Sequence, residues 1–265
     1  MATVNAMVLR TAGTNCDEET RFAFQACGAR AELVHVNRLA AGGHRLADYQ
    51  ILALPGGFTY GDDVGSGKVF AVELMHALGE ELQAFVDRGG LVLGICNGFQ
   101  VLVKMGLLPD ARLARAADRT LTLTHNDSHR FEDRWVYLQA EANCHSLFAE
   151  PCERIELPVA HAEGKLVARS DAVVDRLEQN GQVAYRYVNP DGSAPAYPAD
   201  PNGSVGHIAA ISDPSGRVFG MMPHPERHFF GYHHPRWTRR APGRAGPPAE
   251  GDGVRMFRRA VAACR

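Results

Sequence analysis

No apolar run in this chain of 265 residues approaches the ~20 residues that a bilayer-spanning helix requires, so a membrane role is not expected. The first residues, Met1 to Leu9, lack a basic start and a long apolar centre. They read as a first strand rather than a secretory leader. Charge of one sign is also missing: 28 basic residues stand against 30 acidic ones, for a net charge of −2. A broad basic footprint for nucleic acid is therefore excluded. The six cysteines include no C-x-x-C pair. That argues against a zinc ribbon or a disulfide framework and fits a reducing cytoplasm. The histidines show neither zinc-finger spacing nor His-Glu-x-x-His, so no metal site is expected. A Walker-type glycine loop, an internal repeat and a convincing linker are absent too, and residues 1–265 read as one domain.

What is present is an alternation of β-rich and helical patterns. Ala6 to Arg10, Ala31 to Val36, Gln50 to Leu54 and Leu91 to Leu93 read as strands. Glu18 to Cys27, Val69 to Arg88 and Phe99 to Met105 read as helices. The alternation predicts an α/β fold with a parallel sheet covered on both faces. Farther on, Arg119 to Thr124 and Arg134 to Gln139 resemble antiparallel strands. Asp171 to Gln179 reads as a helix, and Gln182 to Val188, Gly206 to Ile211 and Val218 to Met222 as strands. Arg239 to Gly253, rich in Pro, Gly and Arg, reads as a surface loop before a closing helix, Val254 to Ala263.

The densest chemical signal is Gly94-Ile95-Cys96-Asn97-Gly98, set between an apolar strand and a helix. Such a turn presents its central side chain, here a thiol, at the tip of a sheet. A thiol titrates near pH 8.5 and attacks as the thiolate, which a helix N-terminus favours. Among twelve histidines, His224 has the most informative setting, between Pro223 and Pro225 with Glu226 two residues on. Cys96, His224 and Glu226 thus form a candidate nucleophile, base and orienter. The N–H groups of Asn97 and of Gly57, in the Pro55-Gly56-Gly57 turn, are candidate oxyanion donors. Cys16, Cys27, Cys144, Cys152 and Cys264 read as ordinary packing residues. From the residues alone, a stand-alone cysteine hydrolase is the alternative reading.

Cys96-Asn97-Gly98-Phe99-Gln100, Pro55-Gly56-Gly57 and His224-Pro225-Glu226 resemble the class I (triad) glutamine amidotransferases. Gly13-Thr14-Asn15-Cys16-Asp17, Gly56 to Asp62, Asn202-Gly203-Ser204 and Met222 to Arg227 resemble more closely the glutaminase subunits of phosphoribosylformylglycinamidine synthase. The resemblance runs from about residue 4 to the C-terminus. It implies a three-layer α/β/α sandwich, flavodoxin-like, with a mostly parallel sheet and a few antiparallel strands. It implies glutamine hydrolysis through a thioester on Cys96, with ammonia passed to a synthetase subunit and a small bridging subunit in the assembly. ATP and magnesium would bind that synthetase, leaving this chain without a cofactor. The resemblance further implies Phe58, Gln100, Arg130 and Phe131 as substrate contacts. The chain departs from the family's usual His-Gly-Glu-Gly at His161-Ala162-Glu163-Gly164, where the extra methyl is expected to restrict the loop, so His161 and Glu163 stay outside the catalytic set.

Overall fold

The structure is a computed structural model that describes residues 3–240 and 249–265. Its strands are β1 (Asn5–Arg10), β2 (Arg30–His35), β3 (Ile51–Leu54), β4 (Leu91–Ile95), β5 (Leu121–Thr124), β6 (Glu132–Ala140), β7 (Arg154–His161), β8 (Lys165–Ala168), β9 (Val183–Val188), β10 (Ile208–Ser212) and β11 (Val218–Met221). Its helices are α1 (Asp17–Ala26), α2 (Val36–Ala40), α3 (Lys68–Asp87), α4 (Asn97–Met105), α5 (Leu107–Asp110), α6 (Asp171–Gln179), α7 (Trp237–Arg240) and α8 (Val254–Ala262). Most of the expected surface loop, residues 241–248, lies outside the described residues.

The main sheet runs β2-β1-β3-β4-β11-β10-β9-β6-β7. Its first half, β2 through β11, pairs in parallel. From β11 through β10, β9 and β6 to β7 every pairing is antiparallel. A second ribbon, β5 with β8, stands apart. Every residue of β3 and β4 is buried, as expected of parallel strands covered on both faces. α3 supplies part of that cover through Phe70, Ala71, Leu74, Leu78, Leu82 and Phe85, spaced along one helical face. α8 contributes Val254, Met256, Phe257, Ala260 and Val261, and Phe257 meets Phe24 of α1 edge-on at 5.0 Å between ring centres. The chain passes from β1 outward to β2, then returns to β3 on the other side of β1. Because parallel crossovers are right-handed, this reversal puts α1 and α3 on opposite faces of the sheet. It also opens a crevice at the carboxyl ends of β1 and β3, the usual ligand position in such sheets.

β5 and β6 are antiparallel strands, as their sequences suggest, but they do not pair with each other. β5 pairs with β8, and β6 lies between β9 and β7. β7 itself is not legible in the sequence because Pro158 interrupts it. Proline is tolerated there because β7 is the last strand of the sheet and needs donors on one side only. His161 and the following turn complete this strand's end, directly opposite the Cys96 region.

Candidate active site

β4 delivers Cys96 to the crevice. The residue adopts φ 50° and ψ −104°, a conformation that costs a non-glycine side chain energy. Its backbone is pinned by donation from its N–H to the Met221 carbonyl at 2.7 Å. The flanking glycines are needed for close approach rather than for a left-handed φ. A Cβ on Gly98 would stand 1.8 Å from the Leu54 oxygen, and one on Gly94 would stand 2.8 Å from the Gly98 oxygen. Two missing side chains thus let α4 start directly over β3 and β4. Cys96 is 5% exposed, and its Sγ lies 3.7 Å from the Ala160 carbonyl of β7.

β11 leads to His224, whose N–H donates to the Pro158 carbonyl at 2.9 Å. The imidazole is 2% exposed, and its Nδ1 lies 2.6 Å from Glu226 Oε1, itself buried. Burial alone would lower the imidazole's pKa. The Glu226 carboxylate, followed by the charge on Cys96, overrides burial and holds the pKa well above the ordinary histidine value. Nε2 has no hydrogen-bond partner among the described residues and is available for proton transfer. Gly56 packs against the back of the ring, where a Cβ would come within 2.7 Å of His224 Cε1.

A cavity of about 210 Å³ joins these parts; Gly57, Phe58, Cys96, Phe131 and His224 all line it. Gly57 adopts φ 151° and forms a bridge with Thr14. That bridge uses the N–H groups of Phe58 and Asn15, and so leaves the Gly57 N–H out of it. Asn97 opens α4, where a backbone N–H has no carbonyl one turn earlier to bond. Phe58 and Phe131 stand at the mouth, 43% and 50% exposed, with ring centres 6.2 Å apart.

Two expected contacts are not brought to this cavity. Gln100 is buried, and both ends of its amide are committed to the protein. Oε1 accepts from Asn97 Nδ2 at 2.9 Å, and Nε2 donates to the Glu163 carbonyl at 2.5 Å. Arg130 lines a neighbouring depression with Asp127, Ser128 and Tyr197. The side chain of Arg130 is exposed, and the turn that carries it is held by Asn126 bonding the Arg130 carbonyl. Ala162, in contrast, causes no left-handed strain: it is exposed, lies outside the positive-φ positions, and its carbonyl accepts from Asn126. Burial and the charge of His224 push the neighbouring His161 down to about 3, which keeps it neutral.

The structure also adds residues that the sequence reading set aside. Cys16 caps α1 and lines the cavity, with its Sγ 3.9 Å from His224 Nδ1 and 3.0 Å from Arg227 Nη2. Its thiol is raised above the usual range, chiefly by burial. The signal was its position in Gly13-Thr14-Asn15-Cys16-Asp17, a segment that folds back so that the Cys16 N–H reaches the Gly56 carbonyl at 3.1 Å. Asp133 and Arg227 complete the polar wall. Cys16, His224 and Glu226 place potential ligand atoms within 4.8 Å of one another. A metal ion bound to His224 Nδ1 there would compete with the contact between Nδ1 and Glu226.

Comparison with known proteins agrees with this geometry. The family model of the CobB/CobQ-like glutamine amidotransferase domain matches residues 3–264. The phosphoribosylformylglycinamidine synthase subunit PurQ of Dehalococcoides mccartyi is 47% identical over 262 residues, covering 98% of both chains. The PurQ subunit of Archaeoglobus fulgidus is 41% identical, covering 86% of this chain and 89% of its own. Among solved structures, PurLQS from Thermotoga maritima aligns at TM-score 0.73 and 30% identity over 99% of each chain. The glutaminase domain of Trypanosoma brucei CTPS with bound acivicin, at 12% identity and TM-score 0.52, shares the fold. This chain therefore belongs to the CobB/CobQ-like glutamine amidotransferases and, within them, to the PurQ subunits of phosphoribosylformylglycinamidine synthase.

Proposed function

We propose that the chain is the glutaminase subunit of phosphoribosylformylglycinamidine synthase, acting as one unit over residues 1–265 with Cys96, His224 and Glu226 as its triad. The observation that carries the reading is a strained cysteine sharing a small cavity with a buried imidazole–carboxylate pair. Cys96 sulfur attacks the side-chain amide carbon of glutamine, and its proton passes to His224. The oxyanion is held by the Gly57 and Asn97 N–H groups, each worth roughly 2.7–4 kcal/mol in such sites. The C–N bond breaks as His224 protonates the departing ammonia, leaving a γ-glutamyl thioester. Water, deprotonated by His224, then cleaves the C–S bond and releases glutamate. Glu226 orients the imidazole and stabilises its charged form. Phe58 and Phe131 flank the aliphatic part of the substrate, while Asp133 and Arg227 suit its ammonium and carboxylate groups. Arg130 lies in the adjacent depression, and Gln100 acts through Asn97.

Ammonia passes to a synthetase subunit that binds ATP and magnesium and converts formylglycinamide ribonucleotide to formylglycinamidine ribonucleotide. A small bridging subunit completes the assembly, a partnership supported by the family and by the Thermotoga maritima PurLQS neighbour. A biosynthetic role of this kind implies a cytoplasmic location. Among the described residues no helix is long and apolar enough to cross a membrane. The test is synthesis by the reconstituted complex. Cys96→Ala is expected to abolish glutamine-dependent turnover while leaving ammonia-dependent turnover intact. Loss of both would overturn the division of labour.

A further inference from the structure

Away from Cys96, a second cavity of about 360 Å³ opens between the β5–β8 ribbon, the start of α3 and the end of α4. Lys68, Lys104, Arg119 and Arg169 all line it, and no carboxylate does. Among the described residues none of these four cations makes an ion pair. Their hydrogen bonds go to neutral groups. Lys104 Nζ donates to the Leu123 carbonyl at 3.3 Å, Arg119 to the Ala114 carbonyl at 3.3 Å, and Arg169 to the Ala117 carbonyl at 2.5 Å. Thr120, another lining residue, has a buried hydroxyl without a partner. Four cations without ion pairs in one concavity repel each other, and no carboxylate lines the cavity to offset that repulsion. Burial, with Lys68 and Arg119 adding to it, lowers the Lys104 pKa, although Glu163 and Asp62 act in the opposite direction. Burial lowers Arg119 as well.

We infer that this cavity binds the phosphate groups of a small phosphorylated ligand. Guanidinium forks suit phosphate oxygens, and two lysines supply further point charge. Leu121 and Val167 give an apolar wall against which a sugar or base can rest. The size falls within the range of small-molecule sites. The site is connected to the chemistry by covalent structure. Lys68 ends the loop that begins at Thr59, and Lys104 lies in the last turn of the helix that begins at Asn97. An anion held by both would restrain that loop and that helix together.

The experiment is calorimetric titration of the intact chain with inorganic phosphate, pyrophosphate, ADP and adenosine at constant ionic strength, since exposed charge pairs are screened by salt. Saturable binding of pyrophosphate or ADP is expected, with adenosine silent. Arg169→Ala, an exposed position, and Lys104→Met, which keeps the buried stem, are each expected to weaken it by at least about tenfold. Phosphate binding as tightly as ADP would assign a free-phosphate site, and a preference for ADP would assign a nucleotide. No saturable binding at millimolar concentration, or ADP binding unaffected by both substitutions, would overturn the inference. So would weakened association with the synthetase in variants of a chain that binds no anion, because the surface would then be a protein interface.

Discussion

Replacing Glu226 by glutamine keeps the size of the side chain and removes the charge that lies 2.6 Å from His224 Nδ1. An amide can satisfy the ring with its oxygen, but it does not stabilise imidazolium, and its NH₂ can hold the wrong tautomer. Glu226→Gln is expected to reduce kcat by on the order of 10³-fold or more while Cys96 remains present. The pH dependence follows from the sign of the shift. The folded-state pKa of His224 is raised, so the pair's contribution to stability is complete below the unfolded value of about 6.5. It is lost as pH rises through the raised folded value. The difference in Tm between wild type and Glu226→Gln is therefore expected to be largest at about pH 6 and to shrink in alkaline solution. Thermal melts across that range, recorded beside the rate profile, check it; a gap that widens with pH would contradict the assignment. Cys16 shows why such residues escape a sequence reading. Nothing in its local pattern says that its sulfur reaches His224, because the contact spans 208 positions.

At the level of elements, the loop that opens with the tight turn Thr59–Asp62 and closes at Gly67 is tied to the elbow by the side chain of Asn97. Asn97 Oδ1 accepts from Thr59 Oγ1 at 2.7 Å, and Nδ2 donates to Asp62 Oδ1 at 3.1 Å and to Gln100. From Gln100 the network continues to Glu163, whose carboxylate accepts from the Ser66 N–H. Asn97→Ala keeps the backbone donor but orphans several buried groups, at about 1–3 kcal/mol each. The expected result is a folded protein whose Cys96 is still alkylated by a glutamine analogue, with faster limited proteolysis in residues 59–67. Unchanged proteolysis would show that Asn97 does not hold the loop. Much of the surrounding architecture is legible in the sequence. The strands and helices of the first hundred residues show because local periodicity coincides with burial there; the predicted Asp171–Gln179 helix matches α6 in full. What is not legible depends on distant pairing. Pro158 hides the edge strand β7, β8 is too short to show a pattern, and β5 selects β8 over its neighbour β6. The same limit applies to the site. Cys96, His224 and Glu226 stand out from local context, whereas the internal commitments of Gln100 and the displacement of Arg130 depend on how separate loops meet.

Across the whole molecule, the cavity around Cys96 opens past exposed aromatic rings beside a loop held under strain. Tyr60, Asp62 and Val64 all have φ between 53° and 56°, and Val64, β-branched, is 85% exposed. A left-handed valine costs roughly 1–2 kcal/mol, and contacts of its own side chain within the chain do not offset that cost. Such strain persists only when the rest of the loop enforces it; on either side of Val64 the Gly65 N–H donates to the Asp62 carbonyl and the Ser66 N–H to the Glu163 carboxylate, while Asp62 also bonds Asn97. The family resemblance implies a loop that faces the partner and conveys its state to the elbow, where closure around substrate prevents loss of ammonia. Val64→Gly separates this role from stability. Glycine relieves the left-handed strain but gains entropy in the unfolded chain, and the two effects nearly cancel. The Tm of the isolated chain is expected to move little, by less than about 1 kcal/mol in stability. Glutaminase stimulation by the synthetase, titrated with ATP and formylglycinamide ribonucleotide present, is expected to fall several-fold, because the apolar tip is gone and the loop no longer transmits a defined shape. Stimulation equal to wild type at the same synthetase concentration would place the docking surface elsewhere and leave the strain at Val64 without a role in assembly.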